Sequence, residues 1–307
     1  MTAHFFLLLL LSAVTPAAAA PDYGILLMAH GGDASWNQCI ADIRGGIEAR
    51  LPVETAFGMA EAQELKQAVL GLEARGVGKI VAVPLFINSA SEVLDHSRYV
   101  LGLRKQPSLL LRDALADIKP VFTGPAHRSH HSHGFSLERV TTSLPLVMTS
   151  ALDSHPLIAQ ILLDRAKTLS RDPGRETVIL VGHGPVDEKA DAVWLKTMND
   201  LASVMQSQGA FRSVRAVTIR DDSPKVVKKK AAAALRAMVF EGGKNGRALV
   251  IPFLLARGGI ERNIVGILKG LRYVWDGSTL CPHPNLQRWV LEVGAQGAQK
   301  ENMRRYQ

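Results

Sequence analysis

The sequence predicts an α/β protein built from two tandem, similar, doubly wound domains with parallel sheets. Three observations carry that expectation. An apolar run ending in His-Gly occurs twice, a set of later landmarks recurs in the same order, and strand-length and helix-length segments alternate between them.

The first apolar run, ILLMAHGGD over 25–33, stops abruptly at His30-Gly31-Gly32. Five apolar residues leave no room for a helix and read as a strand buried on both faces, after which the glycines let the chain turn. A histidine then sits at the carboxyl end of a strand, where open parallel sheets form their ligand crevice. The second copy, VILVGHGPVD over 178–187, puts His183-Gly184 in the same context. The strands IVAVPLF (80–86) and ALVIPFL (248–254) follow in turn, and then SALDSHPLIAQIL (150–162) and STLCPHPNLQRWV (278–290). In the last pair Ser150/Ser278, Leu152/Leu280, His155/His283 and Pro156/Pro284 coincide at a constant offset of 128.

Between these landmarks the first half reads as helix 35–50, strand 53–57, helix 61–75, strand 79–86 and helix 91–103. The second half repeats the order with 187–206, 214–219, 224–240, 247–254 and 261–271. Strands alternating with helices of this length imply right-handed crossovers and a mainly parallel sheet covered on both faces. Pro84 to His155 spans 71 positions against 31 from Pro252 to His283, so the first half carries about forty extra residues, at about 104–143. That insertion contains His127, His130, His131 and His133. Its reading is a loop.

The first twenty residues contain no charged side chain, and a seven-residue apolar core at 5–11 precedes Ala17-Ala18-Ala19-Ala20. A run this short cannot span a bilayer, and the small residues before Pro21 fit a signal-peptidase site. The expectation is a cleaved signal over 1–20, a periplasmic or secreted product, and no stable membrane insertion after cleavage. The domains are then expected at 21–172 and 173–307.

The formal net charge of +8 favours anionic partners or serves solubility. Nucleic acid is not expected, because no basic stretch is interleaved with aromatic residues. Two cysteines, Cys39 and Cys281, make neither a disulfide framework nor a zinc motif, although one disulfide is possible in an oxidising compartment. No G-x-S-x-G elbow, Walker loop or G-x-G-x-x-G is present.

A neutral imidazole at a strand end either ligates a divalent metal and accepts protons or merely hydrogen-bonds its turn. Its duplication favours function. The loop after the third strand should face the same crevice; it leads to Glu92 in the first half, and to Ile260 and Glu261 in the second. Each glutamate is either a partner of the histidine across the cleft or an N-terminal helix residue stabilised by the macrodipole. The histidines of the insertion form either a metal-gathering loop or a solvated one.

Taken together, the ILLMAHGG and VILVGHGP strand ends, the VPLF strand with its small-residue loop, and the His-Pro closing segments resemble the CbiX-type sirohydrochlorin cobaltochelatases. These are class II chelatases related to ferrochelatase. The resemblance covers nearly all of 23–290 apart from the His-rich insertion, and its specificity lies in the ordered combination. It implies two similar domains facing each other across a cleft, and insertion of a divalent metal into a tetrapyrrole without ATP or another organic cofactor. The metal is then a substrate, cobalt ahead of nickel or iron. The family's strand-end histidine lands on His30 and, by the repeat, on His183; its second residue, commonly His, lands on Glu92. The site implied is His30 with Glu92, and His183 with Glu261 opposite. Glu for His, and the absence of Ser-Arg after His-Gly, depart from the family pattern. The alternative is an exported carrier of metal or tetrapyrrole that keeps the chelatase fold without turnover, with the His-rich loop as its metal site.

Overall fold

The computed structural model describes residues 21–107, 137–244 and 246–306. The expected signal and the His-rich run at 127–133 lie outside them. Strand β1 (Gly24–Ala29) is buried along its whole length and forms the centre of a parallel sheet ordered β2-β1-β3-β4, with β2 at Val53–Phe57, β3 at Ile80–Pro84 and β4 at Leu146–Met148. Ile25 pairs in register with Val53 on one side and Val81 on the other. The second sheet, ordered β6-β5-β7, is also parallel: β5 is Glu176–Gly182, β6 Ser213–Thr218 and β7 Arg247–Phe253.

β1 is apolar throughout, and β5 from Val178 onward, because each packs on two faces. Ile25, Leu27 and Ala29 join one core while Leu26 and Met28 join another, as the two-residue period of a strand requires. Val178 and Leu180 point to the same inner core as Ile25, and Ile179 and Val181 to a third. The outer face of the first sheet is covered by α2 (Ala62–Ala74) and α3 (Glu92–Val100) through Leu65, Val69, Leu72 and Leu94. The outer face of the second is covered by α6 (Lys225–Lys244) and α7 (Ile260–Ile267) through Leu235, Val239 and Ile264.

The inner core is shared. Helices α1 (Ala34–Glu48), α4 (Pro156–Leu169), α5 (Glu188–Gly209) and α8 (Pro284–Ala298) lie between the two sheets and bury Ile40, Ile158, Leu201 and Trp289 in one continuous cluster. Two of these helices change sides. α4 follows the first sheet in sequence yet packs on α5 and β7, and α8 follows the second sheet yet packs on α1, β3 and β4. Gly297 allows that approach, since a Cβ there would lie 2.6 Å from Val81 Cγ1. Lys79, just before β3, closes the far end of α8 by donating to the carbonyls of Ala298 (2.6 Å) and Lys300 (2.9 Å).

The repeated His-Pro pairs have a local role in this exchange. Pro156 and Pro284 occupy the first helical position, where their missing N–H costs nothing. His155 Nδ1 accepts from Leu157 N and His283 Nδ1 from Asn285 N, each at 3.2 Å, so both imidazoles are helix caps. The opposite nitrogen of each faces the other crossed helix: His155 Nε2 lies 3.5 Å from Glu292 Oε1, and His283 Nε2 lies 3.3 Å from Asp164 Oδ2. Asp164 and Glu292 stand at the same offset of 128 as the histidines. The two contacts are thus one contact repeated by the internal pseudo-symmetry.

Cys39 on α1 and Cys281, two residues before the α8 cap, form a disulfide with a Cα–Cα distance of 6.3 Å, within the ordinary range. It ties the first half to the start of the helix that crosses back to it. A crosslink spanning 242 positions removes much loop entropy from the unfolded chain, on the order of 5 kcal/mol in the chain-entropy model. Reduction, or Cys39→Ser with Cys281→Ser, is expected to lower Tm by ten degrees or so in calorimetry, on the order of 2–4 °C per kcal/mol for a chain of this size; a melt unchanged by reductant would show that the crosslink contributes nothing.

Acid should weaken the same region. Burial, reinforced by the Arg165 guanidinium and opposed by Asp164, holds the His283 imidazole below its usual 6.5. Burial alone pushes down His96, which is fully enclosed and stacked on Tyr99. Histidines with a depressed folded pKa take up protons more readily when unfolded, so their stability contribution is complete above pH 6.5 and declines as pH falls below it, until the folded pKa is passed. A protonated His283 also loses the lone pair that accepts from Asn285. Tm is expected to fall from pH 6.5 toward pH 5, and His283→Asn, which keeps a capping acceptor but does not titrate, should flatten that slope.

Candidate functional site

Both strand-end histidines emerge at the carboxyl edge of the central strand of their sheet, and each is followed by a glycine in the left-handed region: Gly31 at φ 83° and Gly184 at φ 78°. At Gly184 a Cβ would also come within 2.6 Å of Thr218 Cβ. The His-Gly pair is therefore what the turn demands as well as what the crevice presents. Neighbouring strands pin both turns, Gly58 N donating to the carbonyls of Ala29 (3.0 Å) and His30 (3.1 Å), and Arg220 N to that of His183 (2.8 Å).

The two imidazoles differ in their surroundings. His30 is exposed and its Nδ1 donates to the Gly31 carbonyl at 2.8 Å, which leaves the Nε2 lone pair directed away from the backbone as ligand or base. Its loop is fixed by Asn37, whose side chain accepts from Gly32 N (3.0 Å) and donates to Gly32 O (3.2 Å). Asp33 caps α1, accepting from Trp36 N (2.9 Å) and Ser35 Oγ (2.8 Å), and these donors hold its carboxyl below the usual range, helped by the Arg262 charge. His183 is half-buried, and its Nε2 lies 3.2 Å from Asp222 Oδ2 in an electrostatic contact. Beneath its turn Arg220 is enclosed, donating to Asp191 Oδ2 (3.0 Å) and Val186 O (2.6 Å), while Asp191 Oδ1 accepts from Thr218 Oγ1 (2.8 Å). Arg220 adopts φ 52°, in the left-handed region; in the first half Gly58, whose N–H likewise meets the strand-end histidine carbonyl, turns at φ 111°.

Glu92 is the first residue of α3 and Ile260 the first of α7, so the spacing equivalence of the two holds in three dimensions, with Glu261 one position on. Glu92 is half-buried. The loop before it is docked on the second half: Asn88 Nδ2 donates to Thr197 Oγ1 (2.9 Å), and Trp194 Nε1 donates to Ala90 O (3.1 Å). Asp153 also holds this loop, accepting from Ser89 N (2.7 Å) and Ser89 Oγ (2.6 Å). Glu261 is buried, and both its carboxylate oxygens accept from Gly258 N at 2.8 Å.

A cavity of about 450 Å³ lies between Asp33, three residues beyond His30, and the second-half residues Arg257, Glu261, Arg262, Trp275 and Asp276. It brings the His30 loop opposite the Glu261 loop across a cleft between the halves. Among the described residues, the ring of His30 bonds to Gly31, and no hydrogen bond joins it to Glu92. Among the described residues, no three His, Cys, Asp or Glu side chains converge as a metal-binding group. His127, His130, His131 and His133 fall outside the described residues. The sequence reading did not single out Arg262, Trp275, Asp222 or the Asp191–Arg220 pair. Arg257 was legible only as a member of the loop after β7.

A family model described as CbiX matches residues 24–169. That segment is of the CbiX family. The match runs from β1 through α4, and the later elements repeat the same order from β5. Among solved structures, SirB from Bacillus subtilis with Fe3+ aligns with a TM-score of 0.60 at 17% identity, covering 91% of this chain and 96% of that one. The sirohydrochlorin chelatase SirB from B. subtilis subspecies spizizenii, in complex with cobalt, aligns with a TM-score of 0.57 at 15% identity over the same shares. A multi-domain protein of Deinococcus radiodurans with structural similarity to chelatases gives 0.56 at 17% identity, covering 92% of this chain and 56% of that one. At these identities the likeness establishes a common fold. No curated protein matches the chain by sequence.

The pair beneath His183 yields a stability test. Arg220 and Asp191 are both enclosed, and removing one partner of such a pair leaves an uncompensated charge at a cost of about 3–5 kcal/mol. Asp191→Asn and Arg220→Met are each expected to lower the unfolding free energy by roughly that amount in urea titration, and a loss under about 1 kcal/mol in both would show that the pair is solvated and does not hold the turn.

Proposed function

We propose that this chain is a chelatase that inserts a divalent metal, cobalt ahead of nickel or iron, into a sirohydrochlorin-type tetrapyrrole. The observation that carries the reading is the cleft itself. In a fold shared with sirohydrochlorin chelatases, an exposed imidazole with its Nε2 lone pair turned outward stands at the carboxyl edge of the central strand, beside an opening between the halves.

Metal insertion replaces two pyrrole N–H protons by one divalent ion, so the protein must hold the ring, deliver the metal and receive protons. His30 Nε2 is suited to bind the incoming ion or accept a pyrrole proton, and Glu92, at the head of α3, supplies the complementary carboxylate. In this reading His183 and Glu261 act opposite them, from the second half. His183 Nε2 lies 3.2 Å from Asp222 Oδ2, and Glu261 shapes the Gly258 turn as well as the cleft wall. The proposed location is outside the cytoplasm, where a carrier is the more usual role and a chelatase remains physically reasonable: the uncharged leader is of signal-peptide type, and a disulfide such as Cys39–Cys281 persists in an oxidising compartment.

The test is a visible-absorption time course of the mature protein with sirohydrochlorin and Co(II), repeated with Ni(II) and Fe(II). Many turnovers per chain are expected, with His30→Ala lowering kcat by about 10²-fold or more while the melting curve is preserved. Band shifts that stop at one equivalent per chain would replace the enzyme with a carrier, and full activity in His30→Ala would remove that residue from the mechanism.

A further inference from the structure

We propose that the cavity bounded by Arg257, Arg262 and Trp275 is the seat of a carboxylate-bearing edge of the macrocycle, and that these residues select a polycarboxylate tetrapyrrole over one with few acidic side chains. This rests on the chelatase reading and adds to it the part of the protein that recognises the substrate's periphery.

The cavity holds about 450 Å³, many times the volume of one water and within the span of small-molecule sites. Most of its guanidinium donors are uncommitted while its acceptors are engaged. Arg262 is exposed and makes no hydrogen bond or ion pair with the described residues. Arg257 is held in place, its Nε donating to Gly277 O and its Nη2 to Asp276 O, both at 2.9 Å. Two of five guanidinium donors are thereby used, leaving a pre-oriented cation at the cavity wall. Three carboxylates border the same space, each already satisfied. Asp33 takes the Trp36 N–H and the Ser35 hydroxyl, Glu261 takes the Gly258 N–H, and Asp276 accepts from Ser278 N and Ser278 Oγ, both at 2.8 Å. Guanidinium pairs carboxylates in two parallel hydrogen bonds, and the half-buried Trp275 indole offers a flat apolar face for a ring between them. Asp33 places this seat three residues from His30, so a macrocycle anchored here reaches toward that histidine.

Equilibrium binding of metal-free sirohydrochlorin, followed by its visible bands, tests the inference without requiring turnover. Arg262→Gln is expected to raise Kd about tenfold, Arg262→Lys to recover part of that loss, and Arg257→Gln with Arg262→Gln to abolish the preference for sirohydrochlorin over a dicarboxylate porphyrin. Added salt should weaken binding by the wild-type protein more steeply than by the double variant. Unchanged affinity and preference in the double variant, or no binding by the wild-type protein, would overturn the proposal. Tight wild-type binding that depends on the arginines but yields no metallated ring would uphold it while defeating the chelatase reading.

Discussion

The structure depends on the crossing of α4 and α8. Each follows one sheet and packs on the other, so neither half completes its inner core from its own contiguous sequence. Burial of Ile158, Leu162, Trp289 and Val290 in the shared layer therefore stabilises both sheets at once, and the two halves are coupled through apolar contact rather than through a linker. The cleft inherits its geometry from this arrangement, because the carboxyl edges of both central strands are set by helices held in common.

Polar detail reinforces the crossing. A capping histidine must present one nitrogen as acceptor to the helix, which leaves the other as a donor, and in both copies that donor meets a carboxylate on the partner helix. The Cys39–Cys281 crosslink acts on the same junction from the α1 side. The duplicated histidines of this protein thus divide by position: those at strand ends stand at the carboxyl edges of the central strands, and those before helices hold the fold.

The two halves have also diverged where their chemistry would meet. Gly58 turns the chain freely after β2, while Arg220 turns it after β6 under strain and is held by Asp191. Glu92 heads α3 on a loop fastened to α5, while Ile260 takes its place in α7 and Glu261 turns back to Gly258. The pseudo-symmetric frame accordingly offers an exposed imidazole on one side and a carboxylate-paired one on the other.

The sequence by itself determined the α/β class, the duplication, the central strands and the strand-end positions of His30 and His183. All of these are written in local pattern: an apolar run of fixed length, a glycine where the backbone turns, and a recurrence at constant offset. It also placed Glu92 and Ile260 in equivalent positions, since both are counted from a strand end. Only the tertiary structure decided that α4 and α8 exchange sides, that Cys39 meets Cys281, that His155 and His283 are caps, and that Asp33 faces Arg262 and Trp275. Those contacts join segments far apart in the chain, and no periodicity marks them. They exist because an apolar helix face is satisfied by any apolar sheet of the right shape, and the choice between two similar sheets is made by three-dimensional packing.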